Sequence, residues 1–332
     1  MISALGLSNP DENWVSEAFL ISYLIRRIVS GLITIFAIVT LVFFALRLLP
    51  GDPAEVWLGD YATQELIEST RAKWGLDKPL WGQYATYMDH LVRGDLGDSL
   101  PMKVSVAELL NRHFPFTLRL VLVGTVLSIL IALPAGIAAA VRQNSFTDLL
   151  IMLSSFFFIS MPSFWLGLII LFTFSLRLGW FPTMGGEQGG NWMSYVPHLT
   201  LPSLCIGIRE AGLISRMVRS TMIDTLSKDY IDVARSKGLS EWSILYKHAL
   251  RNALAPIVSL VGMSLALSLA GAIVLEVVFS RPGLGRLYVN AVAVRDYPLI
   301  QGCILVMAAS VVVINMLVDV SYGIIDPRIR HQ

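Results

Sequence analysis

The feature that most constrains this chain is a series of apolar runs that are each long enough to cross a lipid bilayer. A helix of about 20 residues, rising 1.5 Å per residue, spans the hydrocarbon core. Of the 332 residues, 55% are hydrophobic and 15% are charged, which is typical of a chain with several spans. We therefore expect an all-α polytopic membrane protein with six transmembrane helices. The runs cover about residues 23–49, 117–141, 149–176, 199–218, 254–278 and 299–324.

Basic residues predict the orientation of these runs. Arg26 and Arg27 open the first run, Arg142 lies in the turn after the second, and residues 216–252 contain seven basic residues. Loops rich in Lys and Arg stay in the cytoplasm, and six spans place both termini on one side. We therefore expect cytoplasmic N- and C-termini, with residues 325–332 as a tail. Residues 1–22 lack the basic start and cleavage site of a secretory signal, so we expect a cytoplasmic extension.

Residues 50–115 differ in composition from the apolar runs around them. They are polar and contain several aromatic residues, and they carry the boundary signals of two helices. Thr63 is a predicted N-cap for a helix that ends at Gly75, and Pro79 begins a second helix that ends at Gly94. We expect a small helical loop subdomain outside the membrane, between the first and second spans. It either only packs on the bundle or also helps to dock a substrate-delivering protein.

A second polar stretch, residues 229–256, lies between the fourth and fifth runs. Tyr230, Val233 and Ala234 continue an apolar stripe that begins at residue 222. Gly238 interrupts the stripe, and Ser240 is a predicted N-cap for a second amphipathic helix. Such helices lie either on lipid headgroups or in the groove of a partner protein, and the residue pattern alone favours neither. The second stripe consists of Trp242, Leu245, Tyr246, Ala249, Leu250 and Ala253.

At these residues the chain resembles the permease subunits of ATP-binding-cassette (ABC) importers. Their signature places an acidic-alanine-alanine triplet four residues before a glycine; here the triplet is Asp232-Val233-Ala234 and the glycine is Gly238. Residues 248–251 read HALR, which resembles the branch that transports dipeptides, oligopeptides and nickel. Further similar strings are PGDPA at 50–54, GLDKPL at 75–80, EVVFSRPGLGRL at 276–287 and VDVSYGIIDPRIR at 318–330. The resemblance therefore extends from residue 23 to the C-terminus.

The resemblance implies a fold, a location and partners. The fold would be that of a type 1 ABC importer permease, with a core of five helices over residues 116–324 and a cytoplasmic coupling loop at 219–253. The partners would be a second, homologous permease, two ABC ATPase subunits, an extracytoplasmic substrate-binding protein and the lipid of a bacterial or archaeal inner membrane. The cargo would be a dipeptide or oligopeptide, with nickel, glutathione or an opine as alternatives. The residues that would contact the ATPase are Asp232, Ala234, Gly238, Leu239, Ser240, Glu241, Trp242, Leu245 and His248.

The sequence contains none of the motifs that we would expect of an enzyme. A phosphate-binding G-x-x-x-x-G-K-[ST] loop does not occur, and neither does H-E-x-x-H or G-x-S-x-G. We expect a transport subunit that needs no cofactor or metal and does not bind nucleic acid, with ATP hydrolysed on partner subunits. The alternative from another class is a self-sufficient secondary transporter or channel, which would need internal repeats and a coupling carboxylate at mid-membrane. Cys205 and Cys303 lie in apolar runs, so we expect them to be buried and unpaired.

Polar residues inside the apolar runs are possible functional residues, since they are costly in lipid. Arg209 and Glu210 are adjacent in the fourth run and therefore point about 100° apart on a helix. They either reach the membrane surface or meet another span or an aqueous path. Asn315 and Asp319 are four residues apart near the end of the last run, where we expect them to join helices.

Overall fold

The part of the chain that the structure describes is mostly helical. The computed structural model describes residues 10–59, 62–99, 101–185 and 192–325. Two strands of two residues each, β1 (Asp98–Ser99) and β2 (Val104–Ser105), pair as a short antiparallel hairpin. The helices are α1 (Pro10–Leu48), α2 (Pro53–Leu58), α3 (Gln64–Lys73), α4 (Leu80–Val92), α5 (Val106–Val141), α6 (Phe146–Ser160), α7 (Ser163–Ile170), α8 (Trp192–Leu226), α9 (Asp229–Ser236), α10 (Glu241–Ser243), α11 (Leu250–Val278), α12 (Leu284–Ala293) and α13 (Tyr297–Ile325).

Two π-helical segments extend these elements. Leu171–Arg177 continues α7, and Ile244–Ala249 joins α10 to α11 without a break. Of the predicted N-terminal extension, residues 10–22 belong to α1 and residues 1–9 lie outside the described part. Residues 326–332 of the predicted tail also lie outside it.

Among the described residues, four helical stretches are long and apolar enough to cross a membrane. A fifth is added if α6 and α7 together form one bent span. Helix α8 contains the predicted run 199–218 and has 35 residues, but it is too polar to join that group. The number of six spans therefore remains a prediction. The four stretches are Ile25–Leu48, Val106–Val141, Glu241–Val278 and Tyr297–Ser321.

The third predicted span, residues 149–176, is divided into two helices near Pro162. Helix α6 ends at Ser160, and the axes of α6 and α7 differ by 104°. Met161 adopts extended backbone angles, φ −75° and ψ 132°, because the following Pro162 disfavours a helical conformation at the residue before it. The proline at this position therefore breaks the helix, whereas Pro134 is accommodated inside α5.

Helix α5 begins eleven residues before the predicted start of the second span at residue 117. The Ser105 hydroxyl caps it by accepting a hydrogen bond from the Glu108 N–H at 3.1 Å. Pro115 lies inside the helix. The additional turns are stable because they bury Val106, Leu109 and Leu110 against the neighbouring helices. The search for long apolar runs did not include these turns, because this part of α5 is amphipathic and also carries polar residues.

The loop subdomain has the two predicted main helices. The Thr63 side chain accepts a hydrogen bond from the Leu66 N–H at the start of α3, and Gly75 follows that helix with φ +65°. Pro79 precedes α4, and Gly94 follows it with φ +76°. These local boundary predictions are confirmed. The subdomain packs on α1 through aromatic contacts; the rings of Phe43 and Tyr87 stack at 5.5 Å between centroids.

Close contacts between α5 and α8 form the centre of the bundle. A Cβ atom on Gly124 would lie 2.7 Å from the Ile206 side chain, and one on Gly136 would lie 2.6 Å from that of Val218. Glycines at such crossings let helix backbones approach closely, which favours packing in a membrane. The apolar core extends from this pair toward both ends of the bundle. Cys205 and Cys303 are buried in it as free thiols, as predicted.

The two ends of the bundle have separate apolar clusters. We call one end the coupling end, where Ile137, Met222, Ile231 and Ile244 pack together. We call the other the loop end, where α1, α5, α12 and α13 meet beside the loop subdomain. Its cluster contains Leu46, Val106, Leu109, Leu110, Leu284, Leu287, Ala291, Tyr297, Leu299, Ile300 and Cys303.

Candidate functional site

Residues 227–249 form a bent helical segment at the coupling end. We call these residues the coupling segment. Helix α8 ends at Leu226, and α9 begins at Asp229 after a change of direction. One face of α9 is anchored, because Ile231 is fully buried and Ala234 is 8% exposed in the cluster with Met222. The Asn252 amide also donates a hydrogen bond to the Tyr230 hydroxyl at 2.8 Å. These contacts hold α9 against the start of α11.

Gly238 forms the corner between the two halves of the coupling segment, as predicted. Its N–H donates to the Arg235 carbonyl at 2.9 Å, and the Leu239 N–H donates to the Ala234 carbonyl at 3.3 Å. This pair of hydrogen bonds ends a helix when the residue after the C-cap is left-handed. Gly238 adopts φ +76°, a conformation that glycine reaches at little cost. The corner is therefore defined by backbone geometry.

The second half begins at the predicted cap. The Ser240 hydroxyl accepts a hydrogen bond from the Ser243 N–H at 3.4 Å. The Arg235 Nε donates to Glu241 at 3.0 Å, which links α9 to the start of α10 and raises the pKa of the Arg235 guanidinium. Arg235 also pairs with Asp232 at 3.4 Å. The central position of Arg235 was not predicted, although its spacing from these two acidic residues could have indicated it.

We had expected two short helices, but the second one is not separate. Residues Glu241–Val278 form one helical stretch of 38 residues, which contains α10, the π-helical segment and α11. The second helix does not end before the fifth predicted run at residue 254, because Ile244, Ala249 and Ala253 stay buried along the joined helix and the backbone hydrogen bonds continue. The coupling segment is therefore attached directly to a predicted span.

The exposed face of the coupling segment is apolar and aromatic. Trp242 is 71% exposed, and its ring lies 4.7 Å from that of Tyr246. Val233 is 53% exposed, and Tyr230 and Leu239 are also exposed. Neither predicted stripe forms a single face: Tyr230, Val233, Trp242 and Tyr246 are exposed, whereas Ala234, Ala249 and Ala253 of the same stripes are buried. The chain breaks helix geometry at 227–228 and again at Gly238, so the apolar period does not continue across either break.

The structure places the predicted coupling residues at three depths. Ala234 is buried, whereas Leu245 and His248 are half-buried, with Leu245 packed against the core cluster. The remaining six lie on the exposed surface of the coupling segment. These are Asp232, Gly238, Leu239, Ser240, Glu241 and Trp242. Tyr230, Val233 and Tyr246 also lie on that surface and were not among the predicted coupling residues.

The polar pair in α8 is divided between two environments. Arg209 is exposed on the bundle, whereas Glu210 is 7% exposed and accepts a hydrogen bond from the Ser268 hydroxyl of α11. Glu210 therefore meets another helix. A small cavity of about 130 Å³ lies beside it, lined by Arg209, Ser264 and Ser268.

The polar pair in α13 faces α1. Arg27 and Asp319 form an ion pair between the two helices, and Asn315 lines a cavity of about 400 Å³ between α1, α11 and α13. In the part of the chain that the structure describes, no cluster of three or more His, Cys, Asp or Glu side chains could hold a metal ion.

The sequence matches two parts of one protein family. The profile described as "Binding-protein-dependent transport system inner membrane component" matches residues 132–331, and the profile of its N-terminal part matches residues 20–121. The chain is 40% identical over 313 residues to the glutathione transport system permease protein GsiC of Escherichia coli (strain K12) and of Shigella dysenteriae serotype 1. Each alignment covers 94% of this chain and the whole of the relative.

The fold is similar to solved structures of the MetNI methionine ABC transporter in inward-facing conformations. One superposition has a TM-score of 0.54 at 17% identity and covers 66% of this chain and 96% of that chain. A second has a TM-score of 0.52 at 20% identity and covers 69% and 99%. Sequence and fold thus agree: the chain belongs to the family of binding-protein-dependent transport system inner membrane components, as an ABC importer permease of the dipeptide, oligopeptide and nickel branch.

Proposed function

We propose that this chain is one of two permease subunits of an importer that moves small peptides across the inner membrane. In this proposal the coupling segment and the start of α11, within residues 229–256, dock on a separate ATPase subunit. ATP hydrolysis on that subunit then moves the helices that the segment joins. A second, homologous permease, two ATPases and an extracytoplasmic binding protein complete the assembly.

The observation that carries the proposal is the contrast between the two faces of the coupling segment. Ile244 is fully buried in the core, whereas Trp242, two residues earlier, is 71% exposed beside Tyr246. Exposed aromatic residues on a well-anchored scaffold are the residue types that dominate protein–protein interfaces. The segment is also charged at its rim, since Asp232, Arg235 and Glu241 form an exposed ion-pair chain.

Lipid contact is the other possible use of such an apolar face. Lys228, Lys237 and Lys247 are exposed near it and suit anionic headgroups. Membership of a binding-protein-dependent import family favours protein docking, because such a permease has to receive work from another subunit. The same proposal places the coupling segment and both termini in the cytoplasm, with six spans and the loop subdomain outside.

The cargo is the finer part of the proposal. Relatives at 40% identity carry the name of a glutathione transport permease, and glutathione is itself a small peptide. This supports a small-peptide importer and makes glutathione the first cargo to test, beside ordinary dipeptides and oligopeptides. Nickel and opines remain alternatives within the same branch, and no described residue cluster resembles a nickel site.

The decisive experiment measures co-purification of the full chain with its candidate ATPase subunits from the same membrane. We expect Trp242→Ala to reduce ATPase recovery about tenfold, since truncating a central interface tryptophan costs at least ~1.4 kcal/mol. Trp180→Ala is the matched control, because Trp180 is 65% exposed and lies against the ring of Phe174, outside the coupling segment. Equal ATPase recovery from both variants would contradict docking through this face.

A second measurement separates the proposal from the self-sufficient transporter. The chain is reconstituted in liposomes alone, and in parallel with its partner subunits, and uptake of labelled glutathione and of a dipeptide is followed with and without ATP. We expect uptake only in the complete, ATP-supplied system. Uptake by the lone chain that is indifferent to ATP would favour the transporter alternative.

A further inference from the structure

The exposed side of α8 is polar along the part of the helix that forms the predicted fourth span. Within residues 201–220, the residues that are exposed are Arg209, Arg216 and Ser220. They follow one another at intervals of seven and four residues, so they lie within about 40° of one another around the helix axis. This part of α8 therefore presents a single polar stripe to its surroundings.

Helix α5 shows what an exposed side in contact with lipid looks like. Between residues 120 and 133, its exposed residues are Leu122, Val126, Leu130 and Ile131, all of them apolar. A charged side chain that is exposed at the same depth is costly in lipid, and such residues almost always face the interior of a bundle or a water-filled cavity. The polar stripe of α8 is therefore not a lipid-facing surface.

Arg209 is the charged residue of the stripe that lies deepest in the predicted membrane. It is in the middle of the run 199–218, and the neighbouring Glu210 bonds Ser268, near the middle of the run 254–278. Half of a hydrocarbon core is about 15 Å thick, which is more than an arginine side chain spans. Arg216 lies roughly 10 Å nearer the coupling end. Its guanidinium lies over the Phe156 ring, 4.4 Å from the centroid.

The break between α6 and α7 lies on the same side of the bundle as Arg209. Ser163, the first residue of α7, lines the cavity of about 130 Å³ together with Arg209. Just before it, Met161 leaves helical geometry and Pro162 has no N–H to offer to the last carbonyls of α6. Irregular backbone at membrane depth is tolerated only where protein or water covers it. Two separate features of this surface thus disfavour contact with lipid tails.

The charge that a solute meets in this cavity is that of Arg209. Glu210 also lines the cavity, but it is 7% exposed and its carboxylate accepts the Ser268 hydroxyl of α11. Arg209 is exposed, and it makes no hydrogen bond or ion pair with another residue that the structure describes. The other polar groups of the lining are the hydroxyls of Ser163, Ser264 and Ser268.

We propose that this side of α8 lines the aqueous path of the importer, and that Arg209 binds a carboxylate group of the solute as it passes. The inference rests on the proposed function for the membrane position of α8 and for a peptide as cargo. A guanidinium offers paired N–H donors that match the two oxygens of a carboxylate. Every free peptide carries such a group at its C-terminus. A cationic solute is disfavoured at this position, and an uncharged one would leave the guanidinium uncompensated.

The first test compares two added cysteines, Leu267→Cys and Leu130→Cys, in the full chain with its co-purified subunits in lipid nanodiscs. Both leucines are 64% exposed and lie near the middle of a predicted span, but only Leu267 lines the cavity beside Arg209. The measured quantity is the rate at which a sulfonate-bearing methanethiosulfonate modifies this chain, followed by its mass. The wild type, whose two cysteines are buried, gives the background rate. We expect Leu267→Cys to react at least about fiftyfold faster than Leu130→Cys, because a charged reagent is excluded from lipid.

The second test asks whether Arg209 sets the charge preference. In the Leu267→Cys background, the rate with the sulfonate reagent is divided by the rate with a trimethylammonium reagent. Arg209→Gln should lower this ratio at least about fivefold, since it removes the nearby positive charge. Arg112→Gln, which removes an exposed arginine of α5 that is paired with Glu108, should leave the ratio unchanged.

The third test measures recognition of the carboxylate through protection of the same cysteine. We expect N-acetyl-dialanine to slow modification of Leu267→Cys in a saturable way, and its C-terminal amide to protect at least about tenfold less well. Arg209→Lys should keep the charge preference but lose part of the protection, because an ammonium group lacks the paired donors of a guanidinium. The comparison of acid and amide uses the native Arg209, so it tests the proposal even if Arg209→Gln does not fold.

Several results would overturn the inference. Equal rates for Leu267→Cys and Leu130→Cys would show that this side of α8 is not in water. Equal charge preference in Arg209→Gln and Arg112→Gln, or equal protection by the acid and its amide, would show that Arg209 does not recognise a carboxylate. Stronger protection by inorganic phosphate would assign a different anion. The proposed function is judged by ATPase recovery and ATP-dependent uptake, so its failure is distinguishable from these results.

Discussion

Arg219 on α8 holds the Asp148 carboxylate of α6 with two parallel hydrogen bonds, Nε to Oδ1 at 2.6 Å and Nη2 to Oδ2 at 2.7 Å. The pair joins the first turn of α6 to the last turns of α8, beside the coupling segment. Asp148 is 4% exposed and also accepts a hydrogen bond from the Asn144 N–H. Loss of the charge would leave a partly buried arginine without its partner.

We expect Asp148→Asn to lower the free energy of unfolding by about 2 kcal/mol, the usual contribution of a charged hydrogen bond in such a site. Thermal unfolding in detergent measures the change. Asp89→Asn removes the exposed pair with Arg93 and should cost about 0.5 kcal/mol or less. A double variant with Arg219→Gln should lose less than the sum of the single losses. Additive losses would show that the two side chains do not stabilise each other.

Substitution of Gly238 should destabilise the chain through backbone strain and not through a steric clash. A Cβ atom at this position would meet nothing within 4 Å, yet φ is +76°. Gly238→Ala should therefore destabilise the chain by about 1 kcal/mol, and Gly238→Asn by less, since asparagine tolerates this conformation better. Gly271→Ala is the matched control, because Gly271 also has open space but lies inside α11. Alanine there should be neutral or stabilising. Equal effects at both glycines would contradict a left-handed corner.

Thr117 connects three elements at the loop end. Its hydroxyl donates to the Glu276 carboxylate of α11 and accepts from the Leu284 N–H of α12 at 2.8 Å. Glu276 also accepts from the Gly285 N–H at 2.7 Å. Thr117→Val should lower the free energy of unfolding by about 2 kcal/mol, because it leaves buried groups unpaired, and Thr117→Ser should restore most of the loss.

The control for Thr117 is Thr200→Val, at a residue whose hydroxyl donates to the Val196 carbonyl of the same helix. That variant should change the melting temperature little. If Thr117→Val had the same melting temperature as the wild type, the hydrogen bonds around Glu276 would not contribute to stability.

The stability of the turn after α4 should depend on pH. The hydrogen bond from His90, with a second from the Gly97 N–H, lowers the pKa of the Asp95 carboxyl. A carboxyl with a lowered folded pKa stabilises the turn above its ordinary pKa of about 4, and this contribution is lost as the pH falls through the lowered value. We expect exchange protection at the Gly97 amide to exceed that of Asp95→Asn at pH 7. The two proteins should converge as the pH falls below the lowered pKa of Asp95. Equal protection at pH 7 would contradict the role of the carboxylate.

Local chemistry made some elements predictable from the sequence. The caps at Thr63 and Ser240 and the corner at Gly238 depend on hydrogen bonds within a few residues, so the residue type at each position is sufficient. The long apolar runs predicted a bundle of helices, because the length and composition of each run are also local properties of the sequence. Family motifs then led us to predict ATPase docking for the coupling segment, which the residue pattern alone did not distinguish from a lipid-bound helix.

Contacts between distant parts of the chain could not be predicted in this way. Asp148 and Arg219 are 71 residues apart, and Thr117 and Glu276 are 159 apart. The size of the bend at Pro162, 104°, could not be predicted from the sequence either, because Pro134 and Pro202 lie inside continuous helices. Whether a proline breaks a helix in a membrane depends on whether neighbouring helices satisfy the freed carbonyl groups. The buried face of the coupling segment likewise depends on what packs against it.

The unbroken helical stretch from Glu241 to Val278 has a mechanical consequence. At 1.5 Å per residue, its 38 residues extend about 57 Å, so a rotation of roughly 5° about its midpoint moves each end by about 2.5 Å in opposite directions. Trp242 lies at one tip and Glu276 near the other. A small swing of the tryptophan tip would therefore move Glu276 and the neighbouring α12 at the loop end by a distance comparable with the length of the hydrogen bonds that Glu276 makes.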